Sequence, residues 1–232
     1  MYLLTETASP FALERWAAFF ANFGQFAKGF FYTLGISIGA LIVALLLGLI
    51  FGAMSSTHNK VLRGISRVYV EIFQNTPLLV QFVVVFYGIS ILTDGHVMIP
   101  ISLTAILCVG VYTGAYISEI IRTGIEAVPK GQTEAALSQG FTYADTMRII
   151  ILPQAVRTIL PPLTNQVVNL IKNTSTVAII SGADIMFTAK VWAYDTTNYV
   201  PAFAGAAFLY FIMCFPLATW ARRKEEENKK AY

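Results

Sequence analysis

The side chains that could do chemistry in this chain sit inside its most apolar stretches. Glu71, Asn75, Thr76 and Gln81 fall in one run that continues into apolar residues, and Asn173 and Thr174 close another. No such stretch holds paired acids, a Ser/His pair or a His/Cys set suited to catalysis or metal binding. What remains is recognition by charge and hydrogen bonding. A charge at mid-membrane costs about 2.5–3.5 kcal/mol on insertion scales, so it is placed against a cavity or a partner. Glu71 and Asn75 are four apart and share a helix face, and Pro77 frees a backbone carbonyl beside them. Such broken segments suit a zwitterion. Glu71 would take an ammonium, and the amides and hydroxyls of Asn75, Thr76, Gln81, Asn173 and Thr174 a carboxylate or polar side chain. The same residues also suit helix-to-helix hydrogen bonding, with Glu71 paired to Arg67; the sequence leaves both readings open.

The elements that must position these residues are membrane helices. The chain has 232 residues, of which 56% are hydrophobic and 12% charged, about half the charged share of a soluble domain. Apolar runs predict spans at about residues 29–57, 68–92, 99–121, 149–171 and 199–220. Residues 11–27 read as an interfacial helix before the first span, in which Gly35, Gly39 and Gly52 offer flat packing faces. The fourth span is expected to be interrupted at Pro161-Pro162, with residues 177–198 a short helix and an exposed loop. Trp16, Trp192 and Trp220 are expected as belt anchors. Cys108 and Cys214 read as inert thiols within apolar runs, and His58 and His96 as solvated loop residues.

The expected fold is therefore an all-α integral membrane protein with about five transmembrane helices. Eleven of its sixteen Lys and Arg fall in the first loop, the polar stretch after the third span and the tail. That excess places the polar loop and C-terminus in the cytoplasm and the N-terminus outside. The chain divides into an N-terminal segment (1–27), a membrane domain (28–222) enclosing a loop at 122–152, and a tail (223–232).

That loop is the most informative stretch. From Gly131 to Pro153 it forms a polar, helix-prone island. Pro129 and Gly131 break what precedes it, Glu134, Ala135, Ala136 and Leu137 favour helix, and Gly140 would end it. Glu134 would start the short helix and favour its positive end. Pro153 would mark the first turn of the next helix.

The order Glu134-Ala135-Ala136, Gly140, Ile150, Leu152-Pro153 and Ala155 resembles the cytoplasmic-loop signature of ABC importer permeases of the binding-protein-dependent type. Four other runs resemble their polar amino-acid subfamily: Phe26-Ala27-Lys28-Gly29 through Thr33, residues 69–81, Ala115 to Arg122, and 170–175 around Lys172-Asn173-Thr174. The resemblance covers roughly residues 26–222. It implies a multi-pass subunit of the bacterial inner membrane that pairs with a second permease chain, as homodimer or with a paralogue. Each chain would place its loop helix, through Glu134, Ala135, Ala136, Gly140, Leu152 and Pro153, on a cytoplasmic ATPase that carries ATP and Mg. Substrate would arrive from an extracytoplasmic binding protein. The chain lacks a G-x-x-x-x-G-K-S/T loop, so it is not the ATPase and is expected to hold no cofactor.

By the same resemblance, Glu71 and Asn173 occupy substrate-contacting positions. Relatives that move basic amino acids often carry an acid at the second, so Asn173 leans towards glutamine, glutamate or another polar amino acid. A basic amino-acid permease is the alternative. A self-contained secondary transporter or channel is weaker, because no two matching halves are visible.

Overall fold

The computed structural model describes residues 9–230, with backbone alone at 225 and 227–230; the outer parts of the expected terminal segments, residues 1–8 and 231–232, lie outside it. Every regular element among the described residues is helical. Three helices are long and apolar enough to cross a membrane by themselves: α2 (Phe23–Ser55), α6 (Ile101–Glu126) and α11 (Tyr199–Lys230, its first 26 residues). Two bent pairs raise the count to five. In one, α3 (Lys60–Gln74) meets the segment Leu78–Leu92 at 97°. In the other, the column Tyr143–Ile180 meets α10 (Ile185–Thr196) at 47°.

α1 (Leu13–Ala21) precedes α2, and the expected interfacial helix ends there, since Asn22 breaks the ladder and residues from Phe23 belong to α2. Arg15 pins α1 to the turn before α11 by donating to Thr197 O and Asn198 Oδ1, both at 2.9 Å. On the core side, Phe19 meets Phe26 and Trp192 at 4.8 and 5.9 Å between ring centres. Trp192 is 5% exposed, a core residue rather than a belt anchor. Its helix α10 buries Ile185, Ala189 and Ala193 too, so the short helix expected within residues 177–198 is present and packs one face into the core.

α2 and α6 pack along a glycine seam. A Cβ on Gly39 or Gly52 would meet Ile106 or Ile121 at 2.8 Å, and one on Gly48 would press on Ile117. Gly110 and Gly114 answer from α6, against Val43 and Leu47. Small residues allow this approach where lipid supplies no hydrophobic drive. Gly35, expected to share the seam, faces open space.

The second span is not one helix. Pro77 has no N–H to donate and holds an extended backbone (φ −60°, ψ 133°), so α3 ends at Gln74 and α4 (Leu78–Val83) starts in a new direction. α4 continues through a π turn at Val84–Gly88 into α5 (Ile89–Leu92). α3 is amphipathic, exposing Val61, Ile65, Val68 and Ile72 on one face and carrying Arg63, Arg67 and Glu71 on another. Apolar content alone predicted a span beginning at Val68; α3 in fact begins eight residues earlier, at Lys60.

After α7 (Lys130–Ser138) and the single turn α8 (Tyr143–Asp145), a π segment at Thr146–Ile151 leads into α9 (Leu152–Asn173). The wide turn accommodates the missing N–H of Pro153 at the start of α9. α9 also runs through Pro161-Pro162 unbroken, which corrects the expected interruption. Two adjacent prolines remove only the ladder bonds to Arg157 and Thr158, and α9 stays packed on α6 there, with Ile159 against Gly124. The break comes later, where α9 tightens into a 3₁₀ segment, Thr174–Ile180.

Candidate substrate path and coupling loop

The bend after α3 draws four expected site residues into one cluster. Asn75 Nδ2 donates to Glu71 O at 2.8 Å and to Glu71 Oε2 at 2.9 Å. Thr76 Oγ1 donates to Ile72 O at 2.8 Å. Gln81 Nε2 reaches back across the break to Phe73 O (3.2 Å), Thr76 O (3.1 Å) and Thr76 Oγ1 (2.8 Å). These side chains satisfy carbonyls that the broken ladder orphans. Gln81 Oε1 stays buried and unpartnered. Arg67 Nε lies 3.8 Å from Glu71 Oε1, but the Glu71 side chain is 59% exposed, and a pair this wet holds its carboxylate weakly. Both sequence readings of Glu71 therefore coexist: it bonds within its helix and keeps a face free.

Three bonds fix α3 beneath this cluster. Ser66 Oγ donates to Phe51 O (2.7 Å), Tyr69 Oη to Val111 O (2.7 Å) and Gln74 Nε2 to Ala115 O (3.2 Å). Tyr69 also stacks on Phe51 at 4.0 Å.

Asn173 and Thr174 lie at the second break, where α9 becomes 3₁₀. Thr174 is fully buried and donates to Ile171 O at 2.6 Å, while Asn173 is half-buried. The two breaks adjoin: α4 packs on the 3₁₀ segment, with Leu78 and Phe82 sharing a core with Val177 and Ile180. No hydrogen bond among the described residues joins Asn173 to the Glu71 cluster.

A cavity of about 1120 Å³ opens beneath Glu71 and Gln74, towards the loop end of the bundle. α6 contributes Ser118, Glu119 and Arg122; α7 contributes Lys130 and Thr133. Asn75, Thr76, Gln81, Asn173 and Thr174 are not among its lining residues. Arg122 is clamped within α6, its Nε 2.9 Å from Glu119 Oε2, a second nitrogen on the other Glu119 oxygen, and Nη1 2.5 Å from Glu126 Oε2. The Ser118 and Thr146 hydroxyls are buried at this cavity without partners. Sequence reading did not place Ser118, Glu119 and Arg122 in a site; their 3.6-residue spacing towards Glu71 appears only once α3 is laid across α6.

The loop helix α7 starts after Pro129, whose extended backbone sets its first turn. Glu134 is its fifth residue, beyond the turn where the helix dipole acts, so it does not start the helix as expected. Ala136 alone is buried on α7; Glu134, Ala135, Leu137 and Ser138 face outward. The end is a Schellman motif: Phe141 N–H donates to Ala136 O (3.2 Å), Gly140 N–H to Leu137 O (3.0 Å), and Gly140 has φ +87°. Thr142 caps the following turn through Asp145 N–H at 3.2 Å. Leu152 and Pro153 are exposed; their neighbours Ile151 and Ala155, both buried, hold the returning chain to the bundle.

Comparison with known proteins gives this arrangement its family. Residues 44–225 match the family described as binding-protein-dependent transport system inner membrane component. The chain is 37% identical over 216 residues to the probable glutamine ABC transporter permease protein GlnM of Bacillus subtilis, covering 92% of this chain and 97% of that one. It is 33% identical over 208 residues to the glutamate/aspartate import permease protein GltJ of Escherichia coli K12, covering 82% and 85%. A crystal structure of an amino acid ABC transporter with histidines superposes with a TM-score of 0.84 at 31% identity, covering 91% of this chain and 98% of that one. The chain belongs to the binding-protein-dependent inner membrane components, the permease subunits of ABC importers.

Proposed function

We propose that this permease subunit imports polar amino acids, leaning to glutamine or glutamate, with α7 as the lever through which a separate ATPase works it. The observation that carries the reading is α7 itself. It is a nine-residue helix with one buried alanine and an outward face, closed by a left-handed glycine, at the mouth of a cavity that Glu71 lines. A short rigid helix with so little of itself buried has a surface to give to a partner. The surplus of Lys and Arg around it favours a cytoplasmic loop and C-terminus and an extracytoplasmic N-terminus.

In this reading the amino acid arrives from an extracytoplasmic binding protein and passes the adjoining breaks of α3–α4 and α9. Glu71 holds its ammonium; Asn75, Thr76, Gln81, Asn173 and Thr174 supply amide and hydroxyl groups or position those that do. A neutral Asn173 favours an uncharged or acidic side chain over a basic one. A second permease chain completes the pore, and ATP with Mg binds the ATPase partner. The names of the relatives, glutamine and glutamate/aspartate permeases, support the substrate class.

Purification in mild detergent tests this directly. An ATPase subunit should co-purify, and glutamine or glutamate with the binding protein should stimulate its ATP hydrolysis. Stimulation by arginine or lysine alone would move the assignment to the basic amino acids.

A further inference from the structure

Asp184 is wholly buried, at 0% exposure, and among the described residues no cation pairs with it. Its carboxylate accepts the N–H of Phe187 (2.9 Å) and Met186 (3.2 Å), capping α10. It also accepts the phenol of Tyr210 on α11 at 3.1 Å. Asparagine caps a helix as well as aspartate does, so the cap alone does not call for a charge. An unpaired carboxylate inside a membrane domain is costly and points to function.

The bonds around it run to one place. Tyr210 lines one crevice with Met186 of α10 and with Lys172 and Ser175, the residues that flank Asn173 and Thr174. Thr33 Oγ1 accepts Ile185 N–H at 3.1 Å, and Thr174 Oγ1 donates to Ile171 O at 2.6 Å. The Asp184–Tyr210 bond ties α10 to α11 and the Thr33 bond ties α10 to α2; α10 so held packs on the 3₁₀ segment, and Asn173 is the last residue before that joint. A 3₁₀ stretch within a helical column often marks a hinge. The crevice, of about 280 Å³, separates Lys172 and Ser175 from Phe203 and Ala206 beside Tyr210. The joint is thus not packed solid against α11, so its seat depends on how α10 is held beside it.

We infer that Asp184 and Tyr210 are a positioning pair for the amino-acid path: they set the α9 joint, and through it the placement of Asn173, without touching substrate. The inference rests on the reading above that Asn173 lines the path.

The test uses the whole transporter, permease with ATPase and binding protein, in proteoliposomes. Four variants are compared: Tyr210→Phe, Asp184→Asn, Asn173→Ala and the double Tyr210→Phe/Asn173→Ala. Asp184→Asn retains the cap and Tyr210→Phe retains the ring. Each single variant should lower kcat/KM for uptake about three- to tenfold, the scale of one buried hydrogen bond. Unfolding midpoint and retained ATPase should stay near wild type, and the double variant should be no worse than Asn173→Ala. A lowered midpoint with unchanged uptake per folded complex overturns the inference, as do losses that multiply in the double variant. Wild-type uptake by Asn173→Ala sinks the path reading separately; a Tyr210→Phe loss in that case places the action elsewhere and also overturns the pair's role. If Asp184→Asn fails to assemble, Tyr210→Phe decides.

Discussion

Phe141 donates its backbone N–H to the carbonyl of Ala136 at 3.2 Å, closing α7 across a glycine whose φ is +87°. The one buried residue of the loop helix and the residue that ends it are thus joined directly, so the outward face of α7 has a fixed direction relative to the bundle. Coupling to a second protein requires such a fixed direction.

Gly140→Val should therefore disturb that face and little else. A branched residue in the left-handed region costs roughly 1–2 kcal/mol, and nothing surrounds Gly140 to resist the side chain itself. Membrane insertion should be unchanged while ATPase co-purification and uptake fall severalfold. Quantifying retained ATPase per permease checks this; wild-type retention with wild-type uptake would count against a coupling role.

Glu71→Gln should weaken uptake about tenfold, the size of one lost charge-assisted bond, and leave ATPase binding intact. Arg67→Gln is the paired control. Its 3.8 Å contact is solvent-exposed and contributes at most about 1 kcal/mol, so uptake should barely change. Equal losses in both variants would mean that Glu71 serves its helix rather than the substrate.

Packing predictions separate two glycines of α2. Gly48→Val would drive its side chain into Ile117 and should destabilise by about 1–3 kcal/mol, read as a lower unfolding midpoint in detergent. Gly35→Ala meets nothing within 4 Å and should leave the midpoint unchanged or slightly raised.

Tryptophans divide the same way. Trp192→Ala empties a site between Phe19 and Phe26 and should cost about 3–5 kcal/mol. Trp220 is 52% exposed, and its replacement should stay within about 1 kcal/mol. Thermal unfolding of the two purified variants distinguishes them.

The contrast between these tryptophans shows what the sequence could and could not carry. Apolar runs located α2, α6 and α11, and the turn signals at Pro129 and Gly140 located α7, because both are local properties of the chain. Trp192 looks interfacial by residue type; only the approach of Phe19 on α1 and Phe26 on α2 makes it core. Pro161-Pro162 looked like a break because propensity is counted without the packing that holds α9 straight. The cluster of Glu71, Asn75, Thr76 and Gln81 was visible as a run of polar residues beside Pro77, yet the 97° bend that folds Gln81 back on Phe73 was not. Asp184 stood before an apolar helix in an ordinary cap position, and nothing in its neighbours announced Tyr210, 26 residues on.

The central claim is that this chain moves an amino acid only when a separate ATPase works α7. Radiolabelled glutamine uptake should be measured in vesicles holding the permease alone, and in vesicles holding permease, ATPase, binding protein and ATP. The account predicts uptake only in the complete vesicles, lost again in Gly140→Val. Accumulation by the permease alone, at the rate of the complete system, would contradict it.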